Sequence, residues 1–409
     1  MMRLNVKKWV YILTVVVMCG FKFVSIPYVV KYAIGFLWII YAFSKKSKGT
    51  TKDGIRITKL FYYPYIVMFF VSPMLMLISP VENVSFVAAV TRMVSLLMQT
   101  TIALFFAYAS FRLFGVAAVN NMFLGLVVNN VIGVIWAIYK FGMGQFVKFI
   151  ANPFDNFWNT YTVGGRVSNA LELHEVTFTL GLFFIFFAFY KESNIYTARK
   201  QNYGRLIITT VLIYLGFKRI QILALVAMAV TMILIGRSKR KKSFKYANNI
   251  VWIGALGVMW LYLFIISTDI LAALGTKYNI NFMSRLEWFD GLRDYYSFNL
   301  LYPGKGWGAL SRIADSLKQG VHNDILRNYV EFGFLGFFLW MTYVLKIIPF
   351  QIGKKDLPVA KLYLYLIVYA VVTYMTDNTF NYIIFQASML IIVLVARQEN
   401  VLKDLRYLE

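Results

Sequence analysis

The stretch GVHNDILRNYVEFGFLG, residues 320–336, sets one of the chain's two histidines, His322, directly before an apolar run. Asn323 and Asp324 follow it, and Glu331 comes nine positions later. An imidazole titrates near neutrality and can accept a proton, donate one or hold a metal. Asn and Asp at such a place also cap helices by accepting the backbone N–H groups of the first turn. The spacing predicts a helix that starts at Asn323-Asp324, with Glu331 about two and a half turns deeper. At that depth Glu331 is out of reach of a proton on His322. It reads as support, pairing with an arginine or a backbone group beside glycines that permit close helix packing. The edge itself is a helix cap, an active site, or both.

Arginine supplies a second chemistry, because a planar and permanently charged guanidinium clamps phosphate. Arg219 lies beside Lys218 in GFKRIQILAL, between two short apolar runs. A charge at membrane depth costs roughly 2.5–3.5 kcal/mol on insertion scales. Arg219 is therefore either a snorkelling residue at a helix end or an anion site at a helix N-terminus. Arg166 follows two glycines in VGGRVSN, which would let backbone approach a ligand. Arg285 and Arg293 in RLEWFDGLR either meet an anion or pair with Glu287, Asp290 or Asp294. Arg92 reads as a snorkelling residue. His174, in LELHEVTF between Glu172 and Glu175, matches no metal-ligand spacing and reads as the start of a capped helix. The single Cys19 excludes an internal disulfide and a cysteine metal cage.

The elements that must position these residues are set by composition. Of 409 residues 60% are hydrophobic, 18% aromatic and 15% charged, more apolar surface than a soluble domain can hide. The chain reads as an all-α, polytopic integral membrane protein. Its net charge of +24 is assigned to basic loops facing anionic lipid, not to nucleic acid. Apolar stretches near bilayer-crossing length fall at 9–25, 28–43, 61–79, 84–110, 114–139, 174–190, 205–217, 220–236, 248–267, 326–348, 359–376 and 380–396. They predict twelve spans, with the N-terminal run MMRLNVKKWVYILTVVVMCG as an uncleaved first span. With both termini in the cytoplasm, 27 of the 42 Lys and Arg fall on that side or at its border, as the positive-inside rule requires. Residues 1–267 then hold spans one to nine with an outer loop at about 140–173. Residues 268–325 form a large extracytoplasmic loop, and 326–409 hold the last three spans and a cytoplasmic tail. Within the large loop, 282–298 reads as an interfacial helix with Phe282, Leu286, Phe289 and Leu292 on one side. YPGKGWG (302–308) is turn-rich, and 309–319 reads as a second amphipathic helix.

His322-Asn323, followed by Glu331-Phe332-Gly333 and Gly336, resembles the O-antigen polymerase and O-antigen ligase superfamily. That family carries a glycine pair, here Gly306-Trp307-Gly308, then His-Asn running into a span with Glu-x-Gly-x-x-Gly. An arginine at an outer turn is matched by Arg219, and an arginine followed by a tryptophan by Arg285 and Trp288. Where the family has Ser or Gly before the membrane arginine, this chain has Phe217-Lys218. The resemblance implies a GT-C-like fold in the bacterial inner membrane. It implies a metal-independent glycosyltransferase, without cofactor, that joins polyprenyl-diphosphate-linked oligosaccharide repeats for O-antigen, capsule or exopolysaccharide. Arg219, Arg285 and Arg166 would hold the diphosphate, with Arg219 also stabilising the leaving group. His322 would take the acceptor proton or orient the acceptor, supported by Asn323 and Glu331. Membrane lipids, a chain-length regulator and a flippase are the implied partners. A ligase, or a flippase for lipid-linked oligosaccharides, is the alternative. The absence of an internal repeat and the long outer loop weigh against the flippase.

Overall fold

The computed structural model describes residues 6–406 except 22, 25, 50, 83, 152–170, 172–173, 191–198, 217, 279–284 and 318–321. All regular structure among the described residues is helical. In chain order the helices are α1 (Val6–Cys19), α2 (Tyr28–Phe43), α3 (Thr51–Ile78), α4 (Phe86–Phe114), α5 (Ala117–Phe141) and α6 (Met143–Ala151). Then come α7 (His174–Tyr190), α8 (Arg199–Gly216), α9 (Arg219–Gly236), α10 (Lys241–Ile266), α11 (Ile270–Tyr278), α12 (Arg285–Arg293) and α13 (Ala309–Ser316). The last are α14 (Asp324–Thr342), α15 (Ile348–Gly353), α16 (Leu357–Thr373) and α17 (Ile383–Arg406), with a π-helical turn at Tyr343–Ile347 joining α14 to α15.

Most of the described part of each of the twelve apolar stretches is helical. Among the described residues, seven helices are long and apolar enough to cross a membrane, and Tyr28–Phe43, Glu175–Phe189, Tyr203–Gly216 and Leu357–Thr373 are shorter apolar helices. At 1.5 Å per residue a helix of 14 to 17 residues spans about 21–26 Å, a little under the ~30 Å hydrocarbon layer. Around an apolar core, large apolar side chains also face outward and a set of polar side chains is buried. Val29, Phe70, Leu77 and Val87 are exposed, whereas Asn129, Ser110, Thr179 and Thr373 are fully buried. Lipid-facing helices take this arrangement, because a bare polar group in hydrocarbon is expensive and interior hydrogen bonds offset that cost.

The chain folds as two compact units interleaved in sequence. The first comprises Met1–Lys59, Thr101–Val226 and Tyr382–Glu409, and the second Leu60–Thr100 and Ala227–Asn381. This division does not follow the boundaries at 267 and 325, although those positions lie at the end of α10 and the start of α14. In the first unit α1 packs on α5, and α7 on α8 and α17. Gly125 admits Val15 at a distance no Cβ would allow, and Asn129 Nδ2 donates to the Val16 and Gly20 carbonyls that end α1. In the second unit α14 packs on α10 and α13. The π turn is held by Tyr363 Oη donating to the Val344 carbonyl at 3.0 Å, and by Lys346 over the Trp252 ring at 3.8 Å.

Candidate functional site

In the second unit, Asn323 caps α14, its Oδ1 accepting from Leu326 N at 2.9 Å. Its Nδ2 donates to Tyr262 Oη at 2.7 Å, and that hydroxyl donates to the Met375 carbonyl. The Tyr374 carbonyl accepts from both Asp324 N and Ile325 N, at 2.8 and 3.2 Å. Helix α14 therefore begins against the connection between α16 and α17, and His322 sits exposed on this ledge. The His322 ring stacks on Trp288 of α12, with centroids 5.5 Å apart and planes 24° apart. Beneath it Asp324 is fully buried, accepting from Phe380 N at 2.7 Å and from Arg327 Nη1 at 2.7 Å. Arg327 Nη2 lies 3.2 Å from Asn378 Oδ1, and Asn378 Nδ2 lies 3.5 Å from His322 Nδ1.

Deeper in α14 the helix breaks. Gly333 has φ 67°, and a Cβ there would fall on the Tyr302 carbonyl oxygen. The break frees carbonyls that the helix would otherwise use. Lys305 N donates to the Val330 carbonyl at 3.1 Å and Gly306 N to the Glu331 carbonyl at 2.8 Å, while Phe334 N reaches the Tyr302 carbonyl at 3.1 Å. The segment 302–308 thus lies in the break as a tie, with Gly304, Gly306 and Gly308 at positive φ. Gly304 approaches so closely that a Cβ would stand 2.6 Å from the Glu331 carbonyl oxygen. Such irregular backbone is tolerated at membrane depth only where protein satisfies it. The Glu331 side chain accepts from Gly308 N and Leu310 N, satisfying the N-terminus of α13, with Arg327 and Arg92 as its nearby positive charges. A carboxylate there also complements the helix dipole.

Next to this joint, Met76, Pro80, Val84, Phe86, Lys305 and Arg312 line part of a cavity of ≈ 260 Å³. Its walls are mostly apolar and carry two cations. Among the described residues, Lys305 Nζ makes long contacts to Ser79 Oγ at 3.4 Å and the Pro80 carbonyl at 3.3 Å. Burial pushes the Lys305 ammonium below its ordinary pKa, opposed by Glu82. Arg312 Nη2 donates to the Ala88 carbonyl at 2.9 Å, and its buried Nε has no partner among the described residues.

Of the residues singled out from sequence, the structure brings Trp288, His322 and Asn323 together. The Glu331 carboxylate accepts from Gly308 N and Leu310 N, and the Glu331 main-chain carbonyl accepts from Gly306 N. Gly333 serves a sharp helix break, not close packing between helices. Arg92 does more than snorkel, because Nη2 reaches Ser311 Oγ at 3.5 Å. Arg293 pairs with Asp269 at 2.5 Å and Asp290 at 3.2 Å and donates to the Thr268 carbonyl, a structural role. Among the described residues the interfacial helix ends at Arg293, short of 298, with Phe289 and Leu292 buried. Arg219 belongs to the first unit, exposed in the first turn of α9. That turn is anchored by Gln221 Nε2 donating to the Thr177 carbonyl at 2.8 Å, and Lys218 lies over the Phe178 ring at 5.9 Å. Arg166, Glu172 and the side chains of Arg285 and His174 lie outside the described residues. Glu175 accepts from Ile384 N at 2.6 Å and lies 3.9 Å from Lys31.

Sequence reasoning passed over Arg327, Asn378, Lys305 and Arg312. Arg327 carried a signal, being an arginine inside an apolar run and three residues beyond an aspartate, the i,i+3 spacing that lets two helix residues meet. Asn378 carried none, because only the fold returns it to His322. No family profile, curated protein or solved structure gives a significant match to this chain.

Proposed function

We propose that the chain is a multi-pass glycosyltransferase of the bacterial inner membrane, a polymerase that joins polyprenyl-diphosphate-linked oligosaccharide repeats on the outer face. The observation that carries this reading is the His322 ledge. An exposed imidazole is held by an aromatic face and an amide at the mouth of a helix long and apolar enough to cross a membrane. Helix α14 enters there, and a structured outer segment, residues 285–316, packs beside it.

In this reading all twelve apolar stretches cross the bilayer, with both termini cytoplasmic. The acceptor hydroxyl attacks the anomeric carbon of the donor, the glycosidic C–O bond to the diphosphate breaks, polyprenyl diphosphate departs with the electron pair, and the hydroxyl proton passes to the departing diphosphate or to water. Positioned cations stabilise that charge. Arg219 at the α9 N-terminus, with Arg285 and Arg166, are the assigned diphosphate contacts. The cation-bearing apolar cavity of Lys305 and Arg312 has the chemistry of an isoprenoid phosphate, apolar walls for the tail and positive charge for the head. Chain-length regulator and flippase proteins are the expected partners.

The test in cells is glycan chain length with wild type, His322→Ala or Arg219→Ala at matched membrane abundance. Loss of long polymer with retention of single lipid-linked repeats on the outer leaflet is expected for both variants. Undiminished polymer with both would remove the site assignment. Accumulation confined to the inner leaflet would identify a flippase instead.

A further inference from the structure

We propose that Asp324, Arg327 and Asn378 are positioning residues that fix His322 in one tautomer, with Nδ1 accepting from Asn378 and the ring proton on Nε2. Only the substrate that His322 would meet rests on the polymerase reading. The tautomer rests on the geometry alone.

The chain of constraint begins at the buried end. Asp324 accepts from Phe380 N and Arg327 Nη1 and has no exposure to solvent. It therefore sets the position of the Arg327 guanidinium, itself 5% exposed. A guanidinium has donors only. Its Nη2, 3.2 Å from Asn378, must meet the amide oxygen of that side chain and not its nitrogen. The Asn378 backbone is fixed as well, its N–H donating to Asp377 Oδ1 at 2.8 Å. With the oxygen turned to Arg327, the amide NH2 faces His322 Nδ1 at 3.5 Å. An amide NH2 donates only, so Nδ1 must present its lone pair. A proton on Nδ1 would set donor against donor. The Trp288 face holds the ring plane against rotation about its last bond.

The consequence is chemical. The one lone pair of the neutral ring points inward at Asn378, so the proton is on Nε2 and Nε2–H is the donor that His322 offers. It acts as a hydrogen-bond donor that orients the acceptor or steadies a phosphate oxygen, and it does not take the acceptor's proton. A neutral imidazole held as a donor is an established catalytic device.

The test is ¹⁵N NMR of ring-labelled histidine in the full-length protein in nanodiscs. With two histidines in the chain, the signals absent from His322→Gln are those of His322. In the wild type, Nδ1 is expected at the pyridine-type position and Nε2 at the pyrrole-type position. Asn378→Asp replaces the NH2 by an oxygen that only accepts, so Nδ1 is expected to move to the pyrrole-type position. Asn378→Ala removes the constraint and should give averaged shifts. A wild-type Nδ1 that is pyrrole-type or averaged would overturn the proposal, as would an Asn378→Asp spectrum unchanged from wild type. If the tautomer is as stated but no glycosidic bond formation is found, the polymerase reading fails and the relay stands.

Discussion

At the scale of single residues, the chain places its most costly groups where each has a specific partner. Asp324 and Arg327 form a buried ion pair at 2.7 Å. Breaking such a pair by removing one partner costs about 3–5 kcal/mol, because the other charge is left uncompensated. Arg327→Ala and Asp324→Ala are each expected to lower the thermal unfolding midpoint in detergent sharply. The double variant Asp324→Leu/Arg327→Met should recover part of that loss. Additive destabilisation in the double variant would show that the two side chains do not act as a pair. His322→Ala, by contrast, removes an exposed ring and should leave the midpoint nearly unchanged. The cap at Asn323 was legible in sequence because capping is local, set by residue type and a three-residue spacing. The Asn378 contact was not, since 56 positions separate it from His322.

At the scale of elements, the central object is the break in α14. Gly333 occupies positive φ and its missing Cβ leaves room for the Tyr302 carbonyl, so Gly333→Ala should fail twice, by backbone strain and by collision. Gly304→Ala should fail at the same joint, because its Cβ would strike the Glu331 carbonyl. Gly257→Ala on α10 meets nothing within 4 Å and serves as the neutral control. Membrane abundance by immunoblot, with melting in detergent, separates these outcomes. Wild-type levels for Gly333→Ala would remove the joint. Glu331→Ala leaves buried N–H groups at the start of α13 without an acceptor, a loss of about 1–3 kcal/mol. Glu331→Gln retains one acceptor and should lose less. Sequence periodicity placed the helices but not this break. A glycine within an apolar run has the same signature whether it packs against a neighbour or turns the chain. The tie itself, 302–308, shows only as turn-forming residues until the carbonyls it satisfies are known.

At the scale of the whole molecule, hydropathy made the all-helical character and the helix positions legible, since each segment's apolarity is a local property. The interleaving of two units was not legible, because it depends on which helices meet. The topology has a direct test. Cys19 is buried, so single cysteines elsewhere report their own side of the membrane. Leu301→Cys, on the loop before α13 and 92% exposed, should react with an impermeant maleimide in intact spheroplasts if the proposed orientation holds. Lys242→Cys, in the basic first turn of α10, should react only after permeabilisation. Labelling of Lys242→Cys from outside would reverse the orientation and take His322 off the outer face. The central claim, that this protein forms glycosidic bonds between lipid-linked repeats, is tested most directly by reconstitution. Purified protein in nanodiscs is given polyprenyl-diphosphate-linked repeat units, and products are resolved by length while released polyprenyl diphosphate is measured. The expected result is a ladder of lengths with one polyprenyl diphosphate released per bond, abolished in His322→Ala protein of unchanged melting. A wild-type protein that forms no bond, yet moves the same lipid across vesicle bilayers, would contradict it.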